Sequence, residues 1–268
     1  MRPTFGREYM EDEFRRIADC LSDPLTVSLI GGGAMALRDL KDATKDIDLV
    51  VPDSEGYGRL WDVLMELGYA EIQSLGPDYR ALGTTSCVEN NDGCRLDLFN
   101  RQVANELVLT DGMRERSEPF RTPDPLTLRL VSNEDVFLLK LVAGRDDDLE
   151  DANVLVQTGL DFDVVAAELD AQIDRLGDDR FVTYANETLY DLEDEYGVTT
   201  PIHDRIDALT VQFYQGLESL QVLDEPKTVG ELAEVLDIDP ETVRERVTYL
   251  EQFGRVSHTG EEVRPARR

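Results

Sequence analysis

The chain has 268 residues, 57 of them acidic and 27 basic, and its formal net charge at pH 7 is −30. Hydrophobic residues make up 41% of the sequence, which is enough for a packed core, so the charge does not indicate a disordered chain. The sequence has no apolar run of the roughly 18 residues that a membrane span needs, and it begins without the apolar stretch of a signal peptide. Its three cysteines lack metal-type spacing and predict reduced thiols, so we expect a cytoplasmic protein without a membrane partner.

The acidic residues are spread along the whole chain rather than gathered in one segment. Such an excess keeps a protein hydrated where concentrated salt screens its self-repulsion. We therefore expect a cytoplasm of very high salt, as in halophiles; the alternative is an acidic face that binds cationic partners. Because the charge then reflects the solvent, it does not exclude a nucleic-acid partner.

Strand and helix patterns alternate in residues 1–146. We interpret this region as an α/β (α+β) domain, in which helices flank a mixed sheet. A helix is expected to begin at Ser132, where Asp135 completes a capping pattern. Before it, the predicted elements are a helix over 8–21, a strand over 26–30, a helix over 34–40, a strand over 46–51, a helix over 54–67, strands over 69–73, 79–85 and 94–99, and a proline-rich loop over 119–125.

Residues 147–223 form the predicted helical middle region, with helices over 149–158, 162–176, 181–196 and 202–220. Residues 224–268 form the third predicted unit. There, two capped helices over 229–236 and 240–253 precede a possible two-stranded hairpin, the order found in a winged helix.

The second helix of this winged-helix-like module would present Arg244, Arg246 and Tyr249, together with Thr242, to solvent. Basic residues near the end of the chain make this part of the module locally positive. Such a charge fits weak binding of nucleic-acid phosphates, and DNA is one candidate partner. The alternative is a module for packing or dimerisation.

Two carboxylates mark the predicted strand over 46–51. Asp46 and Asp48 share one face because strand residues two apart point the same way. Asp97 is flanked by leucines on a later predicted strand and supplies a third carboxylate. Such oxygens suit Mg²⁺, and three of them can hold the two metals of a phosphoryl-transfer site. The alternative is a solvated strand edge in an acid-rich protein.

Gly31, Gly32 and Gly33 end the first predicted strand and begin a helix. Without Cβ atoms, they allow phosphate oxygens to approach the backbone N–H groups. Downstream, Lys140 is the one polar side chain in an apolar helical stretch, so it needs anionic company or must reach water. A simple tight turn and a structurally paired lysine are the alternatives.

These segments resemble the nucleotidyltransferase-fold superfamily. The resemblance is carried by GGGAMAL at 31–37, TKDIDLV at 44–50, RLDLF at 95–99 and DVFLLKLVAGRDDDL at 135–149. The last segment is similar to the abortive-infection-type branch of uncharacterised and toxin-related nucleotidyltransferases. Many members carry Gly-Ser where this chain has Gly32-Gly33, so one hydroxyl contact to phosphate is missing here.

The resemblance implies a mixed sheet with flanking helices and transfer of a nucleoside monophosphate from an NTP, with two Mg²⁺ ions as cofactor. It implies that Asp46 and Asp48 are metal ligands, that Asp97 is the third ligand or the base, and that Lys140 holds the triphosphate. Further nucleotide-binding candidates are Gly31, Gly32, Gly33, Thr44, Arg145 and Asp148. The acceptor would be RNA, a protein or a small molecule; the alternative function is a nucleotide-sensing or DNA-binding regulator.

Overall fold

The structure is a computed structural model that describes residues 2–73, 84–100, 102–103 and 107–266. The strands are β1 (Phe5–Gly6), β2 (Leu25–Ile30), β3 (Ala43–Thr44), β4 (Asp46–Val51), β5 (Ala70–Glu71), β6 (Ser86–Glu89), β7 (Arg95–Asn100), β8 (Gln102–Val103), β9 (Leu107–Val108), β10 (Glu118–Phe120), β11 (Leu126–Leu130), β12 (Lys227–Thr228), β13 (Val256–Thr259) and β14 (Glu262–Pro265).

The helices are α1 (Arg7–Cys20), α2 (Gly31–Leu37), α3 (Ser54–Glu66), α4 (Asp111–Arg116), α5 (Asn133–Ala143), α6 (Asp146–Gln157), α7 (Phe162–Leu176), α8 (Phe181–Tyr196), α9 (His203–Val222), α10 (Val229–Leu236) and α11 (Pro240–Gln252). Within the described ranges, none of these helices has both the length and the apolar character required to span a bilayer.

Seven strands form one mixed sheet in the order β10-β11-β2-β4-β7-β6-β5. The β11–β2 and β4–β7 pairs are parallel, whereas β2 and β4 are antiparallel. Helices α1, α2 and α3 contact this sheet, and α2 also contacts α5. The predicted mixed α/β fold with flanking helices is therefore confirmed.

One cluster of buried apolar side chains extends from Phe5 to Ile206 and joins the sheet to the helices of the middle region. A second cluster, between Leu223 and Val263, belongs to the C-terminal segment. In that segment α10 and α11 pack against the three-stranded sheet β12-β14-β13. The predicted order of helix, turn, helix and hairpin is observed.

The three glycines form the first turn of α2 directly after β2, as predicted, but the helix covers Gly31–Leu37 and not 34–40. The main-sheet strands β6, β10 and β11 were not predicted, and β10 occupies the start of the predicted loop over 119–125 because it pairs with β11. The β11 residues directly follow Pro125, and their pairing with β2 depends on distant parts of the chain. Most of the predicted strand over 79–85 lies outside the described residues.

The predicted outward orientation of the second C-terminal helix is wrong for two residues. Arg246 donates to Glu218 on α9 at 2.8 Å, and its side chain is 11% exposed. The Tyr249 hydroxyl donates to Asp179, which precedes α8. Arg244 is exposed as predicted, with its guanidinium 3.5 Å from Glu261. Val243, Val247 and Leu250 are buried, as predicted. The face that carries Arg246 and Tyr249 thus packs on the middle region.

Replacing Arg255 by Ala is expected to loosen this packing. Its guanidinium contacts the buried Asp179 at 2.9 Å and lies over the Phe253 ring at 4.8 Å. Removing the cation beside a buried carboxylate costs about 3 kcal/mol of unfolding free energy. Urea unfolding of the full chain measures the loss. The matched control is Arg264→Ala, which breaks an exposed pair with Glu262 and costs less than about 1 kcal/mol; equal losses would contradict the prediction.

Candidate functional site

The register of β4 and β7 brings the predicted carboxylates together. Asp48 is the direct partner of Asp97 across the parallel pair, and Asp46 is the partner of Arg95. Residues two apart on a strand share a face, so Asp46, Asp48 and Asp97 project from the same side of the sheet. Between them, Ile47 is fully buried on the opposite side. The sequence pattern therefore places three acidic side chains on two adjacent strands.

Asp97 is the most buried member of this triad, with 3% of its surface exposed. Its Oδ1 atom is buried and has no hydrogen-bond partner among the described residues. The thiol of Cys87, its register partner on β6, hydrogen-bonds to the carboxylate. A buried carboxylate oxygen without a partner is costly, and a bound cation would remove that cost.

Burial raises the pKa of both inner carboxyls. It raises the pKa of Asp97 to about 7, and the charge of Asp48 adds to this increase. It raises the pKa of Asp48 to about 6, against the opposing charges of Arg145 and Lys140. Two adjacent carboxyls whose ionisation is opposed by burial and by each other would be stabilised by a bound cation.

Asp46 already has a cation beside it. The Arg2 guanidinium donates to both of its carboxylate oxygens, at 2.5 and 2.9 Å. Pairing of β1 with β3 fixes the segment that carries Arg2, because Phe5 lies opposite Thr44. This contact joins residues 44 positions apart, so the sequence pattern contained no signal for it.

The triad is not a preformed metal cage. In the part of the chain that the structure describes, no three His, Cys, Asp or Glu side chains already stand in a metal-holding arrangement. The donor types nonetheless fit Mg²⁺, which takes one or two protein carboxylates and fills its other positions with water and substrate phosphate. The unpartnered Asp97 oxygen is one such donor, whereas both oxygens of Asp46 accept hydrogen bonds from Arg2.

Each glycine of the first α2 turn has a different neighbour. Gly31 has a φ of +60°, and a Cβ there would lie 2.5 Å from Oδ2 of Asp48. A Cβ on Gly32 would lie 2.8 Å from Oγ1 of Thr44, whereas one on Gly33 would meet Leu29. A serine at position 33 would therefore point at the core. Thr44 already supplies a hydroxyl next to Gly32.

Lys140, Arg145 and Asp148 form one ion-pair network at the start of α6. The Lys140 ammonium contacts Asp148 at 2.5 Å and Asp151 at 2.7 Å, and Arg145 donates to Asp148 at 2.6 Å. Burial lowers the pKa of Lys140, but the two carboxylates outweigh it and raise the pKa overall. Burial raises the pKa of Asp148, yet Lys140 and Arg145 lower it overall. All three charges are thus compensated within the protein.

A cavity of about 530 Å³ connects the triad to this network. Its volume is within the range of small-molecule sites. Among the predicted site residues it is lined by Gly32, Thr44, Asp46, Asp48, Lys140, Arg145 and Asp148. Gly31, Gly33 and Asp97 are not among the residues that line the cavity. The predicted C-terminal residues Arg244, Arg246 and Tyr249 are not part of it.

Seven charged lining residues were not predicted as site residues from the sequence: Arg2, Lys41, Lys45, Asp146, Asp147, Glu150 and Asp151. Two of them had a sequence signal, because lysine is rare in this chain and Lys41 and Lys45 flank the segment before the Asp-x-Asp strand. Asp151 lies on α6 one turn after Asp148, so helical spacing also placed it on the same face.

Replacing Asp97 by Asn is expected to stabilise the metal-free protein increasingly as the pH rises. The folded chain keeps a proton on Asp97 up to about pH 7, whereas the unfolded chain releases it near 3.8, so wild-type stability falls across this interval. Asn carries no charge, and the variant's advantage therefore grows with pH, by on the order of 4 kcal/mol at most. Urea unfolding in EDTA and constant KCl measures this difference.

The matched control is Asp62→Asn on the exposed side of α3, which removes one acidic charge from the surface. If the two variants show the same pH dependence relative to wild type, the burial of Asp97 is not the source of the effect.

Comparison with known protein families places the chain in a family. A family described as a nucleotidyltransferase of unknown function (DUF6036) matches residues 11–196. The matched region includes the carboxylates of β4 and β7, the glycines of α2 and the α5–α6 ion pairs. No curated protein matches the sequence. Since the match covers more than half of the chain, the protein belongs to this family of nucleotidyltransferases.

Proposed function

We propose that the protein transfers a nucleoside monophosphate from an NTP to an acceptor hydroxyl in a Mg²⁺-dependent reaction. The observation that carries this proposal is the buried, unpartnered Oδ1 of Asp97 beside Asp48 on the adjacent strand. Membership of a nucleotidyltransferase family agrees with it. The adjoining cavity has room and charged groups for a nucleotide.

Each group on the chain has a defined part in this proposal. Asp46 and Asp48 would hold Mg²⁺, with Asp97 as the third ligand or as the base, and the bound metal would supply neutralisation of the phosphate charge. Gly31 keeps the α2 turn against Asp48, because a side chain there would collide with its carboxylate. The acceptor oxygen attacks the α-phosphorus and pyrophosphate leaves. The buried Oδ1 of Asp97, which accepts no hydrogen bond from the described residues, would serve one of these two roles: metal ligand or acceptor of the hydroxyl proton.

The charge of the cavity makes nucleotide binding depend on the metal. Its lining has five cationic and seven acidic side chains, a net charge of −2 when all are ionised. A triphosphate alone would enter against this charge. Bound divalent cations reverse the sign, so NTP and Mg²⁺ are expected to bind together and not separately.

Several finer features are part of the same proposal. They are the abortive-infection-type relationship, the high-salt cytoplasm and the winged-helix role of the C-terminal segment. RNA, protein and small-molecule acceptors all stay candidates. The alternative, a DNA-binding regulator, is not favoured by the described residues, because Arg246 and Tyr249 are engaged by the middle region.

Asp46→Asn and Asp48→Asn are expected to lower Mg²⁺-dependent transfer by at least about 100-fold while leaving the fold intact, because each removes a metal-binding carboxylate. The assay is mass spectrometry of products after incubation with each NTP in high KCl, with bulk RNA or the protein itself as acceptor. Asp62→Asn is the control for loss of one acidic charge.

Two results would count against this function. One is a variant that labels its acceptor as well as wild type does. The other is a wild-type protein that forms no product and whose melting temperature is unchanged by millimolar NTP with Mg²⁺, since any ligand of the folded state raises it.

Arg2→Gln is expected to bind Mg²⁺ more tightly than wild type, because the ion no longer competes with the guanidinium for Asp46. A partly exposed pair of this kind is worth up to about 1 kcal/mol, which corresponds to roughly two- to fivefold in affinity. The Mg²⁺ dependence of the melting temperature at a fixed concentration of NTP measures the change. Arg7→Gln, which breaks exposed pairs with Glu11 and Asp39, should leave it unchanged; weaker binding by the Arg2 variant would contradict the competition.

A further inference from the structure

Lysine is concentrated at one place in this protein. Only four of the 27 basic residues are lysines, and three of them, Lys41, Lys45 and Lys140, line the cavity beside the triad. The fourth, Lys227, is in the C-terminal segment, where it pairs with Asp224. Because 16 residues of the chain line this cavity, an even distribution would rarely bring three of four lysines there.

The two lysines of the segment before β4 are accessible. The side chains of Lys41 and Lys45 are 30% and 45% exposed, whereas that of Lys140 is 7% exposed. A Cβ on Gly32 would lie 3.9 Å from the Lys41 ammonium. Lys41 therefore lies next to the glycine turn, on the side of Thr44, while Asp48 adjoins the turn at Gly31.

Both accessible lysines contact acidic residues of α6. Lys41 donates to Asp151 at 2.6 Å, and Asp151 also contacts Lys140. Lys45 pairs with Asp147 at 2.5 Å in an exposed contact. An exposed pair of this kind contributes about 0–1 kcal/mol, so a phosphate can take its place at little cost.

The choice of lysine has a physical meaning here. Arginine forms planar bidentate pairs with carboxylates, and this chain uses it in most of the ion pairs of the described residues. An ammonium is a compact point charge that turns freely between oxygens, a property suited to a phosphate chain that enters and leaves. Carboxylate pairing alone would not favour lysine at these positions.

We propose that Lys41 and Lys45 form the subsite for the β- and γ-phosphates of the nucleotide, and thereby select triphosphates over monophosphates. This inference rests on the proposed function, which puts the α-phosphate at the triad. The glycine turn then separates the reacting end, at Gly31 and Asp48, from the leaving-group end, at Gly32 and Lys41. The lysines compensate the charge of the departing pyrophosphate.

Isothermal titration with four probes tests the subsite: an NTP, the matching NDP, the matching NMP and inorganic tripolyphosphate, each with Mg²⁺ at fixed KCl concentration. For Lys45→Gln and for the double variant with Lys41→Gln, we expect affinity for NTP and tripolyphosphate to fall by about tenfold or more. Affinity for the NMP should not change. Lys227→Gln is the matched control and should bind all four probes as wild type does.

The outcomes separate the two proposals. Suppose that wild type binds NTP. If the lysine variants then bind NTP equally well, or if they lose affinity for NMP and NTP to the same extent, the subsite is wrong and the proposed function stands. If wild type binds neither NTP nor tripolyphosphate, both fail. Lys45→Gln keeps the test valid should Lys41→Gln unfold. In the described part of the chain Lys45 pairs with the exposed Asp147, whereas Lys41 pairs with the buried Asp151. Melting temperatures report folding.

Discussion

The parallel register of β4 and β7 is the constraint on which the site depends, because it places Asp48 beside Asp97 in a poorly solvated position. Ionising both carboxyls there is unfavourable, and the raised pKa values of the pair express this cost. Arg2 and Arg145 compensate part of the charge from outside. A bound divalent cation would compensate it directly.

The remaining buried charges are arranged differently. Asp148 joins Lys140 and Arg145, and Asp151 joins Lys140 and Lys41, so each buried carboxylate has cations on both sides. Removing one partner from such a network leaves an uncompensated charge. Lys140 is therefore held in place by buried carboxylates, and Lys41 shares one of them, whereas Lys45 pairs with Asp147 in an exposed contact. In a chain with a net charge of −30, the proposed binding of an anionic nucleotide would depend on these cations together with Mg²⁺.

Local signals explain which parts of the fold were predictable. The helices α5 and α10 begin where Ser132 and Thr228 cap them, because capping joins residues three apart. The alternation in β4 predicted its bounds and its two faces. In contrast, β11 is short and follows a proline. It joins the sheet by parallel pairing with β2, in which Leu126 lies opposite Leu25, a residue 101 positions earlier in the chain. No local sequence pattern indicates so distant a pairing partner.

The sequence by itself determined the chemistry that is available: three carboxylates with the spacing of a strand face, a glycine turn before them, and few lysines in an acidic chain. These features also indicated the nucleotidyltransferase family that the match over residues 11–196 then showed. Only the tertiary structure decided that Arg2 engages Asp46, that Lys41 lies beside Gly32, and that Tyr249 turns inward to Asp179. The physical reason is that each contact joins residues far apart in the chain, and its partner is chosen by packing rather than by local periodicity.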